Sequence, residues 1–204
     1  MRGLALLFTL IVCLLAAPAA LAQTPSGAAD PADPQQSKKS KSKTSGAATY
    51  GVDPEAPPRV LVAGTRAKRM ANGYAAAPAG APRAVQEAIF AANEIVGKPY
   101  RYGGGHASFD DTGYDCSGTV SYALHGGGLL NAPMPSGSFM GWGVKGGGKW
   151  ITTYANSGHI WVKIAGLRLD TSSAGEPVSS GEGPRWRKNL RGGAGFVKRH
   201  PPRL

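Results

Sequence analysis

Apolar side chains recur at helical spacing from Ala84 onward. Val85, Ala88, Ile89, Ala92, Ile95 and Val96 fall on one side, and Glu87, Asn93 and Glu94 fall elsewhere. The pattern predicts an amphipathic helix that Gly97 and Pro99 end. A second helix is predicted after Asp115, with Cys116, Val120, Ala123 and Leu124 on one face and Gly126-Gly127-Gly128 as its stop. The period then changes to two. Ile160, Val162 and Ile164 alternate with His159, Trp161 and Lys163, which predicts a strand with one buried face. Ala165-Gly166 suits a two-residue turn, after which Leu167, Leu169 and Thr171 continue the apolar side. A hairpin in that register pairs Ile164 with Leu167, Trp161 with Asp170 and His159 with Ser172. Asp170 is then diagonal to His159 on one face. The same register sets Lys163 against Arg168, a like-charge misfit. Phe196 to Arg199 reads as a last strand, and the glycine-rich stretch 129–157 predicts no element.

Upstream of residue 83 the pattern fades. Residues 1–22 carry Arg2, an apolar run from Leu4 to Ala17, Pro18, and the small-residue stop Ala20-Leu21-Ala22, which together predict a secretory signal peptide. Residues 23–82 are rich in Ala, Pro, Ser and Lys, with SKKSKSK at 37–43, and read as a disordered basic linker. Val60-Leu61-Val62 is its one strand-like stretch. The folded domain is therefore expected at 83–204, with no membrane span once the leader is removed.

Composition narrows the chemistry. With 30 glycines and 16 prolines in 204 residues, part of the chain reads as linker, while 42% hydrophobic residues suffice for a core. Two cysteines exclude a disulfide framework and a cysteine-rich zinc module. Loss of the leader leaves Cys116 alone in an exported chain, either inert in a core or kept for reactivity. The formal charge is +11, with clusters at Lys38, Lys39, Lys41, Lys43 and at Arg185, Arg187, Lys188, Arg191. Export argues against nucleic acid, so the basic charge points to other anionic polymers or surfaces as partners. The glycine patterns at 141–149 match dinucleotide and phosphate loops only loosely, since Trp150 stands where a P-loop needs Ser or Thr. His106, His125, His159 and His200 show no metal-ligand spacing, so neither metal nor cofactor is expected.

The reactive candidates converge on a thiol and an imidazole. Asp115 is a good N-cap, and Cys116 in the first helical turn lies at the positive end of the helix dipole, which favours thiolate. Gly118 leaves room for a substrate backbone. A thiolate nucleophile needs a nearby base and that base an orienting group: His159 begins a rigid strand, and Asp170 or Ser172 is placed to orient it. His106, in the loop before Cys116, is placed to reach the same cleft.

Gly97-Lys-Pro-Tyr100-Arg-Tyr-Gly-Gly-Gly105, then Gly113-Tyr-Asp-Cys116-Ser-Gly118, then Ser157-Gly-His159 before a hydrophobic strand resemble the NlpC-type cell-wall cysteine peptidases. The resemblance covers roughly 83–204. It implies an α+β, papain-like fold in which an antiparallel sheet packs against N-terminal helices and the nucleophile starts a helix. It further implies a secreted, monomeric endopeptidase of the cell envelope that hydrolyses peptidoglycan stem peptides, at the bond between D-glutamate and a diamino acid. Cys116 is the implied nucleophile, His159 the base, Asp170 the third polar residue, and Tyr100 a cleft residue that assists the oxyanion. Asp115 and Ser117 would shape the substrate side. Trp161, bulky and on the face of His159, would line the pocket or close it. A non-catalytic wall-binding protein and a thiol amidase or acyltransferase are the alternatives.

Overall fold

The computed structural model describes residues 56–177 and 181–204. The expected leader, the basic run at 37–43 and the rest of the first 55 positions lie outside the described residues.

The chain enters through β1 (Leu61–Val62), β2 (Lys68–Arg69) and β3 (Ala75–Pro78), which form a small sheet of order β1-β3-β2. Two helices follow, α1 (Arg83–Ile95) and α2 (Cys116–Gly126), then the short α3 (Ser136–Phe139). The strands β4 (Val144–Lys145), β5 (Ile151–Ala155), β6 (Ile160–Ile164), β7 (Leu167–Asp170), β8 (Arg185–Arg187) and β9 (Val197–His200) complete a sheet of order β4-β9-β5-β6-β7-β8. Every pairing in this larger sheet is antiparallel. The fold is thus α+β, with the antiparallel sheet packed against helices that precede it in the chain. No helix among the described residues is long and apolar enough to cross a membrane.

Local chemistry explains the boundaries. Pro82, extended at φ −52° and ψ 147°, leads into α1, and its carbonyl accepts from Val85 and Gln86. At the far end Val96 leaves helical geometry, and Gly97 takes φ +95°, which only glycine adopts without strain. The faces of α1 and α2 that the apolar spacing marks are buried: Val85, Ala88, Ile89, Ala92 and Ile95 from one, Cys116, Val120, Ala123 and Leu124 from the other. The helices cross closely because Gly126 has no side chain; a Cβ there would collide with that of Ala91.

The sheet keeps the predicted hairpin register, Ile164 opposite Leu167 and Lys163 opposite Arg168. The like-charge pair is relieved because Arg168 turns along its own strand. It is fully buried, and its Nε donates to Asp170 Oδ2 at 2.9 Å. The glycine-rich stretch holds α3, β4 and β5, stabilised by partners distant in sequence: β4 pairs with β9, and β5 lies between β6 and β9.

Two expectations are corrected. The linker reading fails for 56–82, since β3 lies there with Ala75, Ala76 and Ala77 wholly buried. Small side chains that read as linker composition are what let this strand lie flat on α1. Asn93 is also not a solvent-side residue. Its Nδ2 donates to Ala75 O (2.8 Å), and its Oδ1 accepts from Ala75 N (2.9 Å) and from Trp186 Nε1 (2.8 Å). One amide therefore fastens β3 and β8 to α1.

Replacing Asn93 with Ala strands these three buried groups and is expected to lower unfolding stability by about 3 kcal/mol or more. Urea denaturation checks this, and a loss below about 1 kcal/mol would contradict it.

Candidate active site

Cys116 is the first residue of α2, a free cysteine with 8% of its surface exposed. Asp115 caps the helix from an extended conformation, accepting from Gly118 N at 2.8 Å. The same carboxylate accepts from Gly103 N (3.1 Å) and Ser117 Oγ (3.1 Å), and pairs with His106 Nε2 (3.0 Å). The helix start is thereby tied to the loop 101–106. Gly118 serves this junction rather than a substrate: a Cβ there would strike the carbonyl oxygen of Gly104.

His159 sits just ahead of β6, its backbone N–H bound to Asn156 Oδ1 at 2.8 Å. Its Nε2 donates to Asp170 Oδ1 at 2.9 Å, which leaves Nδ1 for the thiol. Burial works against a charged ring here. The Asp170 and Cys116 hydrogen bonds and the charges of both residues outweigh it and push the His159 pKa up to about 9. Asp170 is 1% exposed. Burial opposes its charge too, but the bond and charge of His159, the Ser172 N–H and the Arg168 cation hold its carboxyl below the usual range. Arg168 Nη2 lies 2.8 Å and Arg191 Nη1 3.4 Å from Asp170 Oδ2. Ser172, the other orienting candidate, donates its backbone N–H to Asp170 Oδ1 at 2.9 Å instead of meeting the ring.

Cys116 opens on a cleft of about 580 Å3. Tyr100, Tyr102, His106, Asp115 and Ser117 line it, together with residues 135–138 and 157–158. Tyr100 is partly exposed, and its phenol pKa is raised by partial burial and by the negative charges of Cys116 and Asp115. His106 reaches the cleft as expected, also meeting Ser117 Oγ at 3.0 Å.

Trp161 does not belong to the cleft, which corrects its assignment to substrate binding. It is 1% exposed and stacked on Tyr154 with ring centroids 3.8 Å apart. Phe196 makes edge-type ring contacts with both Trp161 and His159, each at 6.3 Å, and so links the indole to the imidazole. Arg168, Arg191 and Tyr102 were missed from sequence. For Arg168 the signal was present in the unexplained Lys163–Arg168 misfit; Arg191 is brought in by a distant loop. Among the described residues no three His, Cys, Asp or Glu side chains gather as metal ligands.

The charged pair links stability to pH. The His159 pKa is raised from about 6.5 unfolded to about 9 folded, so its contribution is complete below the lower value and is lost as pH rises through the higher one. The wild-type melting temperature is expected to fall between those values, with a smaller fall in His159→Gln. Arg168→Met leaves the buried carboxylate underpaired and is expected to cost about 3–5 kcal/mol in denaturant unfolding. An unchanged midpoint would contradict the clamp.

No protein-family model matches the chain, and no curated protein matches it. Among solved structures it is similar to the hypothetical invasion protein Rv1477 of Mycobacterium tuberculosis, at 26% identity over 58% of this chain and 65% of that one, TM-score 0.41. It is similar also to the Resuscitation Promoting Factor Interacting protein RipA, at 26% identity over 58% and 65%, TM-score 0.42. A third likeness is to the peptidoglycan hydrolase RipB of M. tuberculosis, at 25% identity over 58% and 68%, TM-score 0.43. The match spans just under two thirds of the length of the first two. In its motifs the chain resembles the NlpC-type cell-wall cysteine peptidases.

Proposed function

We propose that this chain is a cysteine peptidase of the cell envelope that hydrolyses amide bonds in peptidoglycan stem peptides. The observation that carries the reading is the thiol of Cys116, at a helix start and on a cleft, beside an imidazole that Asp170 orients and charges. The motif resemblance supplies the substrate class, the papain-like description of the fold, and the bond between D-glutamate and a diamino acid. The leader read at 1–22 supplies export.

The geometry supports a definite sequence of steps. Cys116 as thiolate attacks the carbonyl carbon, with the His159 imidazolium as its counter-ion. The Cys116 N–H, which has no intrahelical acceptor, and the Tyr100 hydroxyl would hold the oxyanion. His159 gives its proton to the leaving amine, forming a thioester. It then takes a proton from water, which releases the acid and restores the thiol pair. The wall-binding alternative drew on Trp161 closing the site, and the burial of that ring against Tyr154 removes this ground.

Anionic wall polymers are taken as partners in the same reading. The basic cluster near residue 188 is divided by the fold. Arg187 is buried, donating to the carbonyls of Asp170 and Thr171, and Arg191 lies over Phe196. Arg185, Arg187 and Lys188 join Arg69 around a separate cavity of about 580 Å3, with Glu176 the carboxylate among its lining residues.

Digestion of purified peptidoglycan with fragment masses read out is the direct test. Wild type is expected to release stem-peptide fragments, with Cys116→Ala and His159→Ala reduced at least about a thousandfold. Retained turnover in either variant would overturn the mechanism, and masses from cleavage at the glycan–peptide amide would identify an amidase instead. The rate is expected to decline as pH passes about 9, where His159 loses the proton it must deliver. Asp170→Asn should move that decline to lower pH.

A further inference from the structure

Tyr102 is 91% exposed, while the other large apolar side chains exposed among the described residues reach at most 56%. It makes no ring contact or side-chain hydrogen bond with the described residues, yet it lines the cleft that holds Cys116. A lone exposed aromatic on a mobile tip would call for no explanation. This one stands on fixed backbone. Arg101 N binds Tyr114 O (3.3 Å), Gly104 N binds Arg101 O (2.9 Å), and Gly103 N binds Asp115 Oδ2 (3.1 Å). The backbone that presents the ring to water is therefore anchored by the same carboxylate that caps the nucleophile helix.

The rest of the cleft is short of free charge. No Lys, Arg or Glu lines it. Asp115 is spent on Gly103, Gly118, Ser117 and His106. Exposed Ser138 and Ser157, with Gly137 and Gly158, line the same cleft and offer neutral hydrogen-bond groups. A presented aromatic face and uncharged hydroxyls in one cleft suit a pyranose ring: its C–H face stacks on the π-surface while its hydroxyls pair around the edge.

We propose that Tyr102 forms a sugar-binding shelf at the mouth of the cleft, so that the favoured substrate is a stem peptide still joined to its glycan. The proposal deepens the hydrolase reading and rests on it for the identity of the peptide. Tyr102 acts here as a specificity residue and touches none of the reacting atoms.

The test compares a disaccharide–tetrapeptide with the same tetrapeptide lacking sugar. For turnover, wild type is expected to favour the sugar-bearing substrate in kcat/KM by about tenfold, the factor one aromatic contact supplies. Tyr102→Ala should lose that preference through KM with kcat retained, and Tyr102→Phe should keep it. For binding, Cys116→Ala, which does not turn over, should hold the disaccharide–tetrapeptide more tightly by a similar factor in calorimetry, and adding Tyr102→Ala should abolish the difference. Equal handling of both ligands by wild type, or an equal loss on both in Tyr102→Ala, would overturn the shelf. If neither compound is cleaved but the binding difference and its loss are seen, the shelf stands and the hydrolase reading falls.

Discussion

Asp170 is the group on which the site depends. It is a carboxylate with 1% of its surface exposed, and it remains charged only because four neighbours supply hydrogen-bond donors: Arg168, Arg191, the Ser172 N–H and His159. A buried ion is costly unless its lone pairs are filled, and here they are filled from its own strand, from the residue that leads into β6 and from the segments that follow β7 and β8. The consequence runs outward. The anion fixes the tautomer of His159, keeps the ring protonated and leaves Nδ1 toward Cys116. Phe196 and the stack of Trp161 on Tyr154 then keep the ring from turning away.

A second carboxylate does similar duty for the thiol. Asp115 joins the start of α2 to the loop 101–106, and His106 pairs with it much as His159 pairs with Asp170. Cys116 thus lies between two histidine–carboxylate pairs with different tasks. One holds the His159 ring protonated; the other saturates a cap and keeps the cleft wall in place. The fold brings them together by packing α2 against β6 and β7, over a core in which Asn93 also fastens β3 and β8 to α1.

Much of this was readable beforehand because it rests on local patterns. The faces of α1 and α2, the Asp115 cap and the β6–β7 register follow from spacing and turn chemistry, and the register alone put Asp170 within reach of His159. What escaped prediction depends on long-range partners. β3 reads as linker since an Ala-Ala-Ala-Pro strand gains its stability only from the helix it covers. Asn93 reads as solvent-facing until Ala75 and Trp186 arrive to satisfy its amide. Trp161 shares a strand face with His159, and only the arrival of β5 and Phe196 shows that this face is covered at the indole and open at the imidazole. β4, two residues between glycines, and β5, which follows the glycine run 146–148, take their place from β9.

The most direct test of this account is the ionisation of one ring. A site-resolved NMR titration of His159 is expected to show the imidazole holding its proton up to about pH 9 in the wild type. In Asp170→Asn, still folded by its amide spectrum, the midpoint should fall toward the ordinary histidine value of about 6.5. A wild-type midpoint near that ordinary value, or one that Asp170→Asn leaves unchanged, would contradict the claim that a buried carboxylate sets the charge of the proposed catalytic base.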